Sequence, residues 1–440
     1  MNLKVSYIII ALLLAFDNVF IKFRLGDIIS IDRALEFAFF FILFKPYVKA
    51  LKTNSFFRGW NAFLVAFAII QFLVNLRILV LNEIETKYVF IDLFKGFSFI
   101  VFSALFFLMA QKNLKYVNIV LIGHFLICLF AILQHPISPF ASEMLELKKF
   151  LFSSTLDSDR ISGAIEREDT YISGGYADRF RLAGPFASTI SFSYFAIASF
   201  CMTFFMYVKT KKRIYMAFLG VLFICSILTQ TRSLMLGELV IVGGYFFFVP
   251  HKKRPFYQSA MVVSGLVLSL FIAIGQDYFL PKNSRLTKLS SEGQSDSRPL
   301  LWLTGVTAAM TYPLGVSKKE YQTVKQDMYH KFGQTSILHL TSHNGIINVG
   351  IYYSFLGYVL LFMLVKFLLE HNKKSNSIMR VIFILFLLGY ATHISFHNNI
   401  FLSADYPFFM VLMLLGLESQ GLVPRLEVEE ESQNLSPVPN

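Results

Sequence analysis

The chain is short of charge, of tryptophan and of cysteine, and each shortage removes a class of protein. Only 15% of its 440 residues are Asp, Glu, Lys or Arg, against about a quarter in a soluble domain. That leaves too few charges to cover a water-facing surface, which excludes a soluble enzyme. Two tryptophans stand against 50 phenylalanines and 20 tyrosines, an aromatic balance that suits lipid-facing surface more than a compact aqueous core. The three cysteines, Cys128, Cys201 and Cys225, all lie inside apolar runs, so they offer no extracytoplasmic disulfide framework. No internal repeat, P-loop or dinucleotide fingerprint occurs.

What the chain has is length in its apolar runs. Stretches able to span a bilayer, roughly 20 residues each, recur along most of it. They predict an all-α polytopic membrane protein of about 12 transmembrane helices, at approximately 4–22, 29–46, 60–81, 88–110, 116–135, 186–208, 213–230, 233–250, 257–276, 345–369, 378–396 and 400–417. The first run follows a single Lys4 and has no small-x-small cleavage pattern behind it, so it reads as a retained span.

The net charge of +12 invites a nucleic-acid partner, but its distribution argues for none. The basic residues sit in alternate short loops: Lys45, Lys49, Lys52 and Arg58; Lys112 and Lys115; Lys209, Lys211, Lys212 and Arg213; Lys252, Lys253 and Arg254; Lys373, Lys374 and Arg380. Glu370 is the one acid among them. By the positive-inside rule both termini are cytoplasmic and the odd-numbered loops face outward. The expected organisation is five spans in 1–135, an outward loop at 136–185, four spans in 186–276, a long outward loop at 277–344, three spans in 345–417 and a disordered cytoplasmic tail at 418–440. The first long loop carries an acidic patch, Glu166, Glu168 and Asp169. The second begins Ser-rich (Ser290, Ser291, Ser295, Ser297) and becomes an amphipathic surface helix from Arg298 to Met310. Loops this long without structure are uncommon unless functional.

Once the topology is set, the polar residues at membrane junctions gather on the outer face. Arg232 occupies the very short turn Leu228-Thr229-Gln230-Thr231-Arg232-Ser233. Arg181 precedes Gly184-Pro185-Phe186, where the chain re-enters the membrane. Arg298 opens the surface helix with Trp302 one turn on, and His343 opens span ten within Ser342-His343-Asn344-Gly345. The bland account of an arginine at a helix end is snorkelling to head groups, and that of a lone histidine is a helix cap or a satisfied polar group; Ser342 or Asn344 serves equally as the N-cap. Arg232 is the least bland, because sorting disfavours arginine on that face. His393 and His397 lie i, i+4 on one helical face, a spacing that suits a metal. No third ligand is near them in sequence, so a polar lining of the outer cavity is the better account. Asp17, Asp92 and Glu238 fall within or near spans, where acids are functional candidates unless a basic neighbour pairs with them.

At these residues the chain resembles the O-antigen ligase and O-antigen polymerase family of bacterial inner-membrane glycosyltransferases. The matching pieces, in order, are Arg181-Leu182-Ala183-Gly184-Pro185-Phe186, Thr229-Gln230-Thr231-Arg232-Ser233, Arg298 with Trp302, Pro313-Leu314-Gly315, Ser342-His343-Asn344-Gly345 and Gly357. Ser233 stands where the family often has glycine. Ser354 replaces a glycine often seen just before the one matching Gly357.

The resemblance implies a GT-C-like membrane fold with its active site at the periplasmic face. The activity it implies is transfer of an undecaprenyl-pyrophosphate-linked glycan to an acceptor sugar hydroxyl without metal or cofactor. By the resemblance Arg232, Arg298 and His343 would be catalytic; Arg181, Asn344, Trp302 and His397, on the same outer face, are expected to bind substrate. The acceptor would be a second lipid-linked repeat unit for a polymerase, or lipid A-core for a ligase. A chain-length regulator is expected as partner for the polymerase alone. Two substantial outward loops, with neither dominant, favour the polymerase. The rival from another class, a lipid-linked glycan transporter or flippase, predicts charge through mid-membrane and inverted halves, and neither pattern is visible.

Overall fold

The computed structural model describes residues 3–20, 24–25, 29–152, 159–176, 180–248, 298–373, 378–397 and 407–420. The expected ninth span at 257–276, the Ser-rich start of the second long loop and residues 421–440 of the tail lie outside the described residues.

The described residues are predominantly helical, with one two-residue antiparallel pairing between Arg24–Leu25 (β1) and Ile29–Ser30 (β2). Five helices among the described residues are long and apolar enough to cross a membrane: Ser55–Val80 (α4), Thr86–Lys112 (α5), Leu114–Leu133 (α6), Thr189–Thr210 (α9) and Gly345–Lys373 (α15). Together they make this a helical membrane protein. Around them stand Leu3–Phe20 (α1), Ile31–Ile42 (α2), Phe44–Thr53 (α3), Arg213–Leu228 (α10), Arg232–Phe248 (α11), Ile378–Ile394 (α16), Pro407–Met410 (α17) and Leu412–Glu418 (α18). α9 is the most enclosed of the five, while most of α4 is open at the periphery. A helix that is apolar all round and buried belongs in the middle of a bundle.

Four expected continuous spans are interrupted among the described residues, 4–22 at Phe16 and 400–417 at Val411, and two more sharply. The run at 29–46 splits at Leu43 into α2 and α3. Pro46 explains this, because its ring nitrogen cannot donate to the Ile42 carbonyl and clashes with it. Span ten has a non-helical residue in its interior, Ser354, at φ 62° and ψ −176°. The backbone groups freed there are taken up by the segment after Thr311. Val316 N–H donates to the Ile351 carbonyl at 3.0 Å, and Phe355 N–H donates to the Pro313 carbonyl at 2.9 Å. Irregular backbone at membrane depth survives only where protein satisfies it in this way. Ser354 Oγ, 3.2 Å from Leu356 N, caps the second half-helix.

The first long loop is a helical hairpin, Ala141–Leu151 (α7) against Asp159–Ser173 (α8). Its expected acidic patch is divided between different tasks. Glu168 is buried and accepts hydrogen bonds from Lys148 at 2.7 Å and Gln134 at 2.9 Å, tying α7 and α8 to the end of α6. Burial pushes the Glu168 carboxyl up and the Lys148 ammonium down, so desolvation offsets much of their attraction. Asp169 meets Lys149 at 3.1 Å in a more open position.

The second long loop contains the expected helix, Arg298–Thr311 (α12), followed by Lys318–Phe332 (α13) and Ser336–His339 (α14). α12 packs Leu301, Thr304, Gly305 and Ala308 inward, but Leu303, Val306 and Met310 on its other side are also apolar and exposed. It therefore lacks the polar outer face expected of it. α13 begins with a capping box at Ser317 and Glu320. Arg77, at the end of α4, pairs with Glu320 and donates to the Gly315 carbonyl at 2.8 Å, while Glu83 receives the Ser317 hydroxyl at 2.9 Å.

Candidate functional site

Arg232 is the first residue of α11 and its side chain is exposed. The turn that presents it is forced. Gln230 holds φ 51°, a left-handed conformation that costs a non-glycine residue about 1–3 kcal/mol. The 180–182 segment braces it: Leu182 N–H donates to the Leu228 carbonyl at 3.2 Å and Gln230 Nε2 to the Phe180 carbonyl at 3.3 Å. Arg181 places Nε 3.2 Å from the Thr229 carbonyl oxygen and Nη2 3.1 Å from Thr231 Oγ1. The arginine expected to bind substrate thus holds the backbone that carries Arg232.

His343 lies in the short coil between α14 and α15. It too is left-handed, at φ 48°, and half-buried. The residues on either side fix it. Asn344 is the N-cap of α15, its Oδ1 accepting from Ile346 N at 3.0 Å and Ile347 N at 3.1 Å. Ser342 is buried, with its hydroxyl 2.6 Å from Asn348 Oδ1. With both neighbours committed inward, the imidazole of His343 is the polar group left at the junction. Burial and then the charge of Arg298 hold its pKa below the ordinary 6.5, so it is a neutral acceptor near neutral pH.

Arg298, the first residue of α12, is exposed and near enough to His343 to act on it electrostatically. Gly305 keeps α12 against the His343 coil, since a Cβ there would stand 2.7 Å from Ser342 Cβ and 2.8 Å from Ile347 Cγ2. Trp302, one turn after Arg298, approaches Phe396 with ring centroids 6.5 Å apart. Its indole N–H is buried and has no acceptor among the described residues. Beyond Phe396, His397 places Nε2 2.9 Å from Ser233 Oγ, the residue after Arg232.

The expected residues therefore form a connected set. Arg298 acts on His343, Trp302 reaches the end of α16, His397 reaches the start of α11, and Arg181 underpins the turn before it. Two helices open with arginine and a third opens just after His343. Helix starts carry partial positive charge and unpaired N–H groups, so an arginine there is unfavourable alone and favourable with an anion. Two arginine-headed helix starts, with the neutral imidazole of His343 near Arg298, can bind a polyanion and take a proton from a hydroxyl.

Known proteins add no relative to this picture: no family model, no curated protein and no solved structure matches the chain.

The intramembrane acids divide. Asp17 pairs with Arg33 at 3.2 Å, and Asp92 receives Asn75 at 3.0 Å and Lys95 at 2.8 Å, which is the structural outcome for both. Glu238 is buried in α11 and accepts from Ser226 at 2.7 Å. Among the described residues no third His, Cys, Asp or Glu joins His393 and His397. Ser233 stands between them, with His393 Nδ1 3.0 Å from its hydroxyl. Sequence spacing showed the two histidines on one face. Their shared partner, 160 residues away, had no sequence signal.

Proposed function

We propose that the protein is a metal-independent glycosyltransferase of the bacterial inner membrane. It transfers an undecaprenyl-pyrophosphate-linked glycan to an acceptor sugar hydroxyl at the periplasmic face, and polymerises O-antigen or another surface polysaccharide repeat. About twelve spans with both termini cytoplasmic belong to the same proposal. The observation that carries it is the placement of α12, headed by Arg298 and held against the coil of the half-buried His343 at Gly305, with Trp302 approaching Phe396 and the adjacent His397 bonded to Ser233 next to Arg232.

In this mechanism His343 accepts the proton of the acceptor hydroxyl as its oxygen attacks the anomeric carbon. The bond from that carbon to the pyrophosphate oxygen breaks, and its electron pair leaves on the pyrophosphate. Arg232 and Arg298 take up the developing charge. A guanidinium remains cationic at any relevant pH and grips phosphate oxygens through two donors. In a partly desolvated site such contacts favour the transition state by several kcal/mol. Attack opposite the leaving group inverts the anomeric centre.

The test is purified protein in lipid nanodiscs with a polyprenyl-pyrophosphate repeat unit and EDTA present. Expected is a ladder of longer lipid-linked glycans with inverted linkage, lost in His343→Ala. Retained configuration overturns direct displacement, and rescue by divalent cation after EDTA overturns metal independence. Transfer to lipid A-core with no ladder replaces the polymerase with the ligase.

A further inference from the structure

Ser233 occupies a position whose hydroxyl touches two imidazoles at once, His393 Nδ1 at 3.0 Å and His397 Nε2 at 2.9 Å. The two rings lie 4.6 Å apart, and Tyr194 packs on His393 at 4.6 Å. A hydroxyl has one hydrogen. If it donates to one ring, the other ring must donate to it. The Ser233 hydrogen has no other acceptor among the described residues, so the row has two neutral arrangements of opposite polarity, and they set opposite tautomers on the two histidines.

Burial decides between them. His393 is fully buried, and its Nε2 has no hydrogen-bond partner among the described residues. If His397 donated towards Ser233, and Ser233 towards His393 Nδ1, then His393 would carry its hydrogen on Nε2. That would leave a buried N–H with no acceptor. Orphaned buried donors are rarer than acceptors with an unused lone pair, and each lost partner costs the full desolvation of the group. The reverse polarity leaves only a lone pair at that position. The row then runs from His393 Nδ1–H to Ser233 Oγ, and from Ser233 O–H to His397 Nε2. His397 is left with its hydrogen on Nδ1.

We infer that Ser233 and His393 are positioning residues that hold His397 as a fixed Nδ1–H donor to a pyrophosphate oxygen beside Arg232. The donor exists whichever acceptor Nδ1 meets at rest, and its bond to an anionic pyrophosphate oxygen is charge-assisted, roughly twice as strong as a neutral one. Ser233, immediately after Arg232, thereby ties the tautomer of His397 to the start of the helix that carries the arginine. The glycosyltransferase reading supplies only the identity of the ligand. The polarity stands on distances and burial.

The experiment is ¹⁵N NMR of histidine-labelled full-length protein in nanodiscs, titrated with inorganic pyrophosphate. Expected at rest is the Nδ1–H tautomer for both His393 and His397, with the His397 Nδ1 signal moving as pyrophosphate binds. Ser233→Ala should mix the His397 tautomers and weaken pyrophosphate about three- to tenfold, the loss of one hydrogen bond. Ser233→Thr, which keeps the hydroxyl, should restore both. His397→Asn places an amide N–H near the Nδ1 position and should keep more affinity than His397→Gln, which places it near Nε2.

An Nε2–H tautomer at His397, a His397 signal unmoved by bound pyrophosphate, or the opposite order of Asn and Gln overturns the inference. None of these measurements needs turnover. A pyrophosphate-responsive His397 in a protein that elongates no glycan would keep the inference and remove the proposed reaction. Elongation with an unresponsive His397 would do the reverse.

Discussion

At His343 two influences push the imidazole the same way: partial burial, which disfavours the cation, and the neighbouring charge of Arg298. A base of this kind works only while neutral. The acid limb of the kcat/KM profile should therefore lie below the ordinary 6.5. Replacing Arg298 with Gln removes one of the two influences, so the limb should move up towards 6.5 without reaching it, because burial persists. A limb that stays put in Arg298→Gln would separate the two residues. Ser354 allows a test of a different sort. In an ordinary helix interior Ala is more stable than Gly by about 1 kcal/mol. At φ 62° and ψ −176° the order should reverse, with Ser354→Gly more stable than Ser354→Ala by about 1–3 kcal/mol. Both variants lose the cap to Leu356, so their difference in thermal stability reads the backbone alone.

Between elements, the contact that aligns the site is α11 against α16. Gly237 and Gly389 face each other there. A Cβ on Gly389 would stand 2.7 Å from the Gly237 carbonyl oxygen, and one on Gly237 would stand 2.8 Å from that of Gly389. Small residues allow such backbone approach in membrane bundles. The same contact holds Ser233 beside His393 and His397. Gly389→Val should destabilise the protein by about 1–3 kcal/mol and lower activity more than stability alone accounts for. Gly220→Val, where a Cβ meets nothing within 4 Å, is the control, and equal losses in the two variants would dismiss the alignment.

For the whole molecule, the proposed orientation is testable with thiols, because Cys128, Cys201 and Cys225 are free and buried and stay silent to a polar reagent. Lys331→Cys in α13 should react with a membrane-impermeant maleimide on intact spheroplasts. Lys212→Cys, between α9 and α10, should react only after lysis. The reverse pattern inverts the topology. The long helices were legible because an apolar run is a local property, and Arg232, Arg298 and His343 were legible as polar residues at the ends of such runs. The break at Leu43 had its signal in Pro46, and α13 had one in the Ser317/Glu320 capping box. The α7–α8 hairpin had none, since a pair formed across twenty residues, Lys148 with Glu168, holds it. Nor did the break at Ser354, where neither proline nor glycine stands and the cause is a segment forty residues upstream.

That break also constrains how the protein is made. The 313–316 strap is synthesised before the half-helices it joins, and it docks from the side where α12 and α13 stand. Before it docks, Ile351 C=O and Phe355 N–H are i, i+4 partners and can bond to each other in an unbroken helix. Span ten can therefore enter lipid as a continuous helix, with no backbone group left open. The break at Ser354 then belongs to a later step, in which the strap docks and exchanges that one helix bond for two of its own, Val316 N–H to Ile351 and Phe355 N–H to Pro313.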